Sequence, residues 1–126
     1  MIAADTSTWI AFFEGQEGED VGLLDKALEG RQVVMAPVVL TELLSDPQLA
    51  ASVAETILDI PLIETESGYW QRAGRLRAKT LAKERKARLG DALIAQSCID
   101  ANVALITRDR DFRAFAEAAG PHLLAH

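Results

Sequence analysis

The chain has 126 residues, 49% hydrophobic and 25% charged, with a formal net charge of −6, which is the size and apolar content of one domain around one continuous core. Its longest apolar runs, such as Val33 to Leu40 with Pro37 inside it, fall far short of the roughly 20 residues a membrane helix needs. The first residues, Met-Ile-Ala-Ala-Asp, lack the basic and apolar segments of a secretory signal, and the lone cysteine, Cys98, excludes an internal disulfide, so a cytoplasmic protein is expected.

Ile2 to Ala4 is a short apolar run ending at Asp5. Thr6, Ser7 and Thr8 then offer helix caps before Trp9, Ile10, Phe12 and Phe13, which predicts a strand followed by a helix. Val21, Leu24, Ala27 and Leu28 recur at helical spacing as far as Gly30, and Val33-Val34-Met35-Ala36 reads as a second buried strand. Pro37 suits the first turn of a helix running through Leu40, Leu43 and Leu44 to Asp46-Pro47. A further helix carries Leu49, Val53, Ile57 and Leu58. Ile60-Pro61-Leu62-Ile63 then reads as a strand near the sheet edge, since proline removes a ladder donor.

From about Gly68 to Lys86 the spacing of Trp70, Ala73, Leu76 and Leu81 predicts a long basic amphipathic helix, interrupted at Gly90. Asp91 opens the next helix, with Ile94, Ala95 and Cys98 on one side of it, and Asn102 ends it. Val103 to Ile106 is the clearest buried strand, Asp111 to Ala119 is a last helix closed by Gly120-Pro121, and Leu123-Leu124 is a candidate edge strand. Strands alternating with helices imply a single α/β domain, a three-layer α/β/α sandwich around a parallel sheet.

In an open parallel sheet, ligands bind beyond the carboxyl ends of the strands, where strand order reverses. Asp5 ends the first strand, Glu42 lies about one helical turn beyond the second, and Asp109 follows Leu105-Ile106-Thr107. Asp91 begins the helix leading into that strand, so all four acids are expected at one rim. Carboxylates gathered this way repel unless protons or cations neutralise them. Oxygen ligands without cysteine or histidine favour Mg²⁺, with Mn²⁺ as a substitute, over Zn²⁺.

These segments, Asp5-Thr-Ser, Thr41-Glu42-Leu, Gly90-Asp91-Ala-Leu-Ile-Ala and Thr107-Arg-Asp109-Arg-Asp111-Phe112, resemble in order and spacing the motifs of PIN-domain nucleases. The length resembles that of VapC toxins of toxin–antitoxin systems. The resemblance covers the whole chain, residues 1–126, as one PIN-like domain. It implies an Mg²⁺-dependent endoribonuclease, commonly a homodimer, inhibited by a VapB-type antitoxin. It also implies an acidic quartet of Asp5, Glu42, Asp91 and Asp109, with Ser7 and Thr107 as polar supports and Asp111 as a further ligand candidate. Either Asp5 or Asp91 would orient the attacking water.

The negative net charge speaks against a nucleic-acid partner, but its distribution reverses the argument. Arg72 to Arg88 holds eight basic residues against Glu84 alone, a local +7 in a chain whose remainder is −13. A carboxylate site needs such a separate cationic surface for the rest of an RNA, and Arg72, Arg75 and Lys79 share one helical face. Two other phosphoryl-transfer folds fit less well. A haloacid-dehalogenase-type site needs a second Asp two residues after the first, where Ser7 stands, and a receiver domain needs an acidic pair and a lysine where Thr6 and Arg108 stand. A non-catalytic RNA- or antitoxin-binding module, its acids serving only as helix caps, is the non-enzyme alternative. Cys98, Trp9, Phe12 and Phe13 read as core, the aromatics having a dimer patch as their alternative role. Glu64, Glu66, His122 and His126 read as surface or tail.

Overall fold

The computed structural model describes residues 1–124; His126 lies outside them. Its elements are β1 (Ile2–Ala4), α1 (Thr6–Phe13), α2 (Glu19–Glu29), α3 (Pro37–Leu44), α4 (Ala51–Leu58), α5 (Tyr69–Ala82), α6 (Leu89–Ala101), β2 (Ala104–Ile106), α7 (Phe112–Ala119) and β3 (Leu123–Leu124). β1 pairs in parallel with β2, and β2 with β3. The sheet continues past β1 through two single parallel bridges, Ile2 with Val33 and Met35 with Leu62.

Counted with those bridges, the strand order is third, second, first, fourth, fifth, and chain order reverses between β1 and β2. The expected strands at 33–36 and 60–63 are thus present only as bridges, and proline chemistry accounts for their brevity. Pro61 supplies its carbonyl to Met35 N at 2.9 Å but has no N–H to return, and Ile63 N bonds Met35 O instead. Pro37, at the first position of α3, turns the chain into helix directly after Ala36. Both Leu62 and β3 lie at sheet edges, as the sequence predicts.

The core is the apolar stripe of each helix against the sheet. Trp9, Leu24, Met35, Val39, Ile57, Ile94, Leu105, Ile106, Phe112 and Phe115 are almost fully enclosed, and truncating an aromatic among them to alanine costs about 3–5 kcal/mol. Trp9 is enclosed in the core and stacks on Phe13 at 5.7 Å, while Phe12 and Phe13 are half-buried against it. No helix among the described residues is long and apolar enough to cross a membrane.

Two boundaries differ from expectation around the basic stretch. α5 stops at Ala82, four residues early, and Glu84 takes a left-handed φ of 57°. The irregular backbone beyond Ala82 is held by Arg77 Nε donating to Ala87 O at 2.8 Å. α6 then starts at Leu89, so Gly90 lies within its first turn and Asp91 is its third residue. Asn102 ends α6 in the left-handed conformation, φ 53°.

Candidate metal centre

The two strands at the reversal carry the chemistry. β1 delivers Asp5, which caps α1 by accepting from Thr8 N through Oδ1 at 3.0 Å. Its other oxygen, Oδ2, accepts from Thr107 Oγ1 at 2.7 Å and from Ser7 Oγ at 2.8 Å. Thr107, directly after β2, thus ties the ends of both strands together, and its Oγ1 also accepts from Asp109 N at 2.9 Å. Ser7 and Thr107 therefore stand where polar supports of Asp5 belong. Asp5 is buried, and that burial raises its pKa; the hydrogen bonds from Thr107, Thr8 and Ser7 oppose the rise.

The remaining acids arrive from the next elements. Asp91 projects from the first turn of α6, and one carboxylate oxygen each from Asp91, Asp109 and Asp111 lie within 4.8 Å of one another. Asp111 N donates to Asp109 Oδ1 at 2.9 Å, which turns the loop so that both carboxylates face the same way. Asp91 Oδ2 is buried with no hydrogen-bond donor. Burial, followed by the charge of Asp109 and then those of Asp5 and Glu42, pushes its pKa up to about 6, against the opposing charge of Arg88.

Glu42 is the exposed member of the group. It accepts from Thr6 Oγ1 at 2.8 Å, and a Cβ placed on Gly90 would lie 3.8 Å from its Oε2, so glycine lets Glu42 approach the start of α6. The structure therefore brings Asp91, Asp109 and Asp111 into one cluster, sets Asp5 beside it through Thr107, and leaves Glu42 on the rim. A buried carboxylate oxygen without a donor, beside two further carboxylates, fits a hard divalent cation well and a purely structural role poorly.

The sequence model of the PIN domain matches residues 2–118. The chain belongs to the PIN domain family. None of the curated proteins matches it significantly. Among solved structures this PIN domain is similar to a VapBC-5 toxin–antitoxin member from Mycobacterium tuberculosis, at 21% identity over 99% of this chain and 98% of that one, with a TM-score of 0.69. It is similar also to VapBC2 from Rickettsia felis bound to a promoter DNA fragment (20% identity, 98% of both chains, TM-score 0.70). DNA-bound VapBC from Salmonella typhimurium gives 17% identity, 98% of both chains and a TM-score of 0.69.

The basic residues of this PIN domain are not all free. Arg72 departs from the expectation of a phosphate contact, because its guanidinium is already engaged: Nε and one terminal nitrogen donate to both oxygens of Asp100 at 3.1 and 2.6 Å, and the other terminal nitrogen donates to Ser67 O. Asp100 stands nine residues beyond Asp91, about 13 Å along α6 at 1.5 Å per residue. Arg75 and Lys79 line a shallow groove with Arg72, Gln96 and Ile99, and make no ion pair among the described residues. Lys86 lies 3.3 Å from Asp111 Oδ2, and the charge of Arg88 acts on Asp91.

The sequence did not reveal a second ionic feature of the site. Asp20 in the first turn of α2 accepts from Thr8 Oγ1 at 3.0 Å and from Arg108 at 2.8 and 3.1 Å, while Arg108 also donates to Gln16 and to Glu17 O. Burial opposes the ionisation of Asp20, yet the bonds from Arg108 and Thr8 outweigh it and hold the carboxyl below its ordinary range. Arg108 sits between Thr107 and Asp109, so this clamp fixes the loop carrying both. A concavity of about 780 Å³ beside Leu28, Arg31, Glu55 and Asp59 adjoins Val33 and Pro61 where their strands begin. It is therefore at the opposite end of the sheet from the acids.

Proposed function

We propose that this PIN domain is a Mg²⁺-dependent endoribonuclease and the toxin of a toxin–antitoxin pair. The observation that carries the reading is the convergence of Asp91, with its donorless Oδ2, on Asp109 and Asp111 beside Asp5. Asp5, Glu42, Asp91 and Asp109 are assigned as the acidic quartet, with Asp111 as an additional ligand and Ser7 and Thr107 in support.

A divalent cation, when bound, supplies polarisation of the scissile phosphate, a bound water of lowered pKa and neutralisation of the leaving oxygen. The residues of the chain hold the groups that this chemistry needs. Asp5 has a carboxylate with about four lone-pair directions; three accept from Thr8, Ser7 and Thr107, so its orientation is fixed while acceptor capacity remains. Asp91 and Asp5 are the acids in place to orient a water. Neither histidine of the sequence lies in the motifs, and no histidine is needed for proton transfer.

Arg75 and Lys79 extend a cationic track along α5 for RNA outside the cleaved bond. Inhibition by an antitoxin belongs to the same proposal, supported by the toxin–antitoxin assemblies among the similar structures; homodimerisation and a cytoplasmic location are proposed with it. Incubation of the purified chain with single-stranded RNA tests it: cleavage is expected with Mg²⁺, is lost in EDTA and returns with excess Mg²⁺. RNA retained uncut, with or without metal, would favour a binding module of the same fold.

A further inference from the structure

The irregular segment between α5 and α6 carries four cations, and the structure gives each a different employment. Arg85 is paired with Glu117 at 2.7 Å. Arg88 caps α6 and acts on Asp91 through its field. Lys83 ends α5 and is exposed. Lys86 alone is paired with a carboxylate of the metal cluster, its Nζ lying 3.3 Å from Asp111 Oδ2.

We infer that Lys86 is a shuttling cation of the site: it neutralises Asp111 while no metal is bound, and is released to an RNA phosphate when Asp111 turns to the metal. The inference rests on the ribonuclease reading above. Both side chains reach solvent, at 57% exposure for Lys86 and 30% for Asp111, so the pair is weak and can exchange partners. A lysine also holds its charge on a flexible four-carbon stem, which can swing without moving the backbone. The ammonium and a divalent cation compete for the same negative charge at Asp111 and each disfavours the other. An RNA phosphate approaching five acids meets repulsion from all of them, and Lys86 is a cation already in contact with one of those acids.

The consequence is a pair of effects with opposite sign, which a lysine of merely structural importance would not produce. Lys86→Gln should tighten Mn²⁺ binding, measured by calorimetry without RNA, by roughly two- to five-fold. In Mg²⁺-supported cleavage the same change should raise KM about five-fold at 0.1 M salt and flatten the salt dependence of log kcat/KM by roughly 0.7, the value of one single-strand phosphate contact. Lys86→Arg, which keeps the charge, should restore both properties most of the way to wild type. If Lys86→Gln weakens Mn²⁺ binding, or leaves KM and its salt slope unchanged in an enzyme that cleaves, the inference is overturned while the ribonuclease reading stands. If the wild type binds Mn²⁺ and cleaves no RNA, the ribonuclease reading has failed and the phosphate role of Lys86 falls with it.

Discussion

Asp91 offers the sharpest physical test because its function and its stability effect oppose each other. Replacing Asp91 by Asn keeps the shape of the side chain and removes the charge. The carboxyl titrates near 6 in the folded chain against an ordinary 3.8, a difference of about 3 kcal/mol at 1.36 kcal/mol per unit. The side chain is half-buried, and solvent screening reduces this to about 1–2 kcal/mol. The sign follows from linkage: a carboxyl whose folded pKa is raised stabilises the fold while protonated, and this contribution is lost as pH rises through the folded value. Metal-free wild type therefore loses stability relative to Asp91→Asn between about pH 4 and pH 6. Urea denaturation of both proteins in EDTA should show the variant ahead by about 1–2 kcal/mol at pH 7.5 and no difference near pH 3.5, if both still fold there. Excess Mg²⁺ should narrow the gap at pH 7.5 by stabilising wild type alone. A variant less stable at pH 7.5, or a gain of equal size at every pH, would refute the electrostatic account of this site.

Three further outcomes follow from the same geometry. Arg108→Ala should destabilise the fold by about 2 kcal/mol, less than the 3–5 of a fully buried pair since Arg108 reaches solvent, and should weaken Mn²⁺ binding by loosening the loop of Asp109; calorimetry on the refolded variant checks both. Thr107→Val should lower cleavage at least ten-fold and raise the pKa of Asp5 further, since the largest hydrogen-bond contribution holding that pKa down is removed; titration of a ¹³C-labelled carboxyl reports the shift. Cys98 is buried, and burial pushes its thiol up to about 12, so it should resist alkylation at pH 8 until the chain is unfolded in urea.

Much of this architecture is legible in the sequence because it rests on local signals. Short apolar runs ending at Asp5 and before Thr107, Pro37 at a helix start and Asn102 at a helix end each act within a few residues, and together they place the acids at one rim. The missing parts depend on pairings distant in sequence. Asp20 and Arg108 are 88 positions apart; in the sequence Asp20 is an acid in a helix first turn, a common and solvated placement, and Arg108 is one arginine in a polar loop. Arg72 looks like any other cation of the α5 face until Asp100 of α6 is placed against it. Helical periodicity groups Arg72, Arg75 and Lys79, but carries no information on which neighbouring helix they meet. Lys86 lies past the end of α5, where periodicity no longer applies, and it is there that a cation reaches the acids.

The central claim, that the carboxylates of this PIN domain hold a catalytic divalent cation, is tested most directly by measuring Mn²⁺ binding and RNA cleavage on the same preparations of wild type and Asp91→Asn. The account predicts that wild type binds the ion and cleaves, while Asp91→Asn, folded and more stable in EDTA at pH 7.5, does neither. Cleavage by Asp91→Asn at the wild-type rate would contradict it.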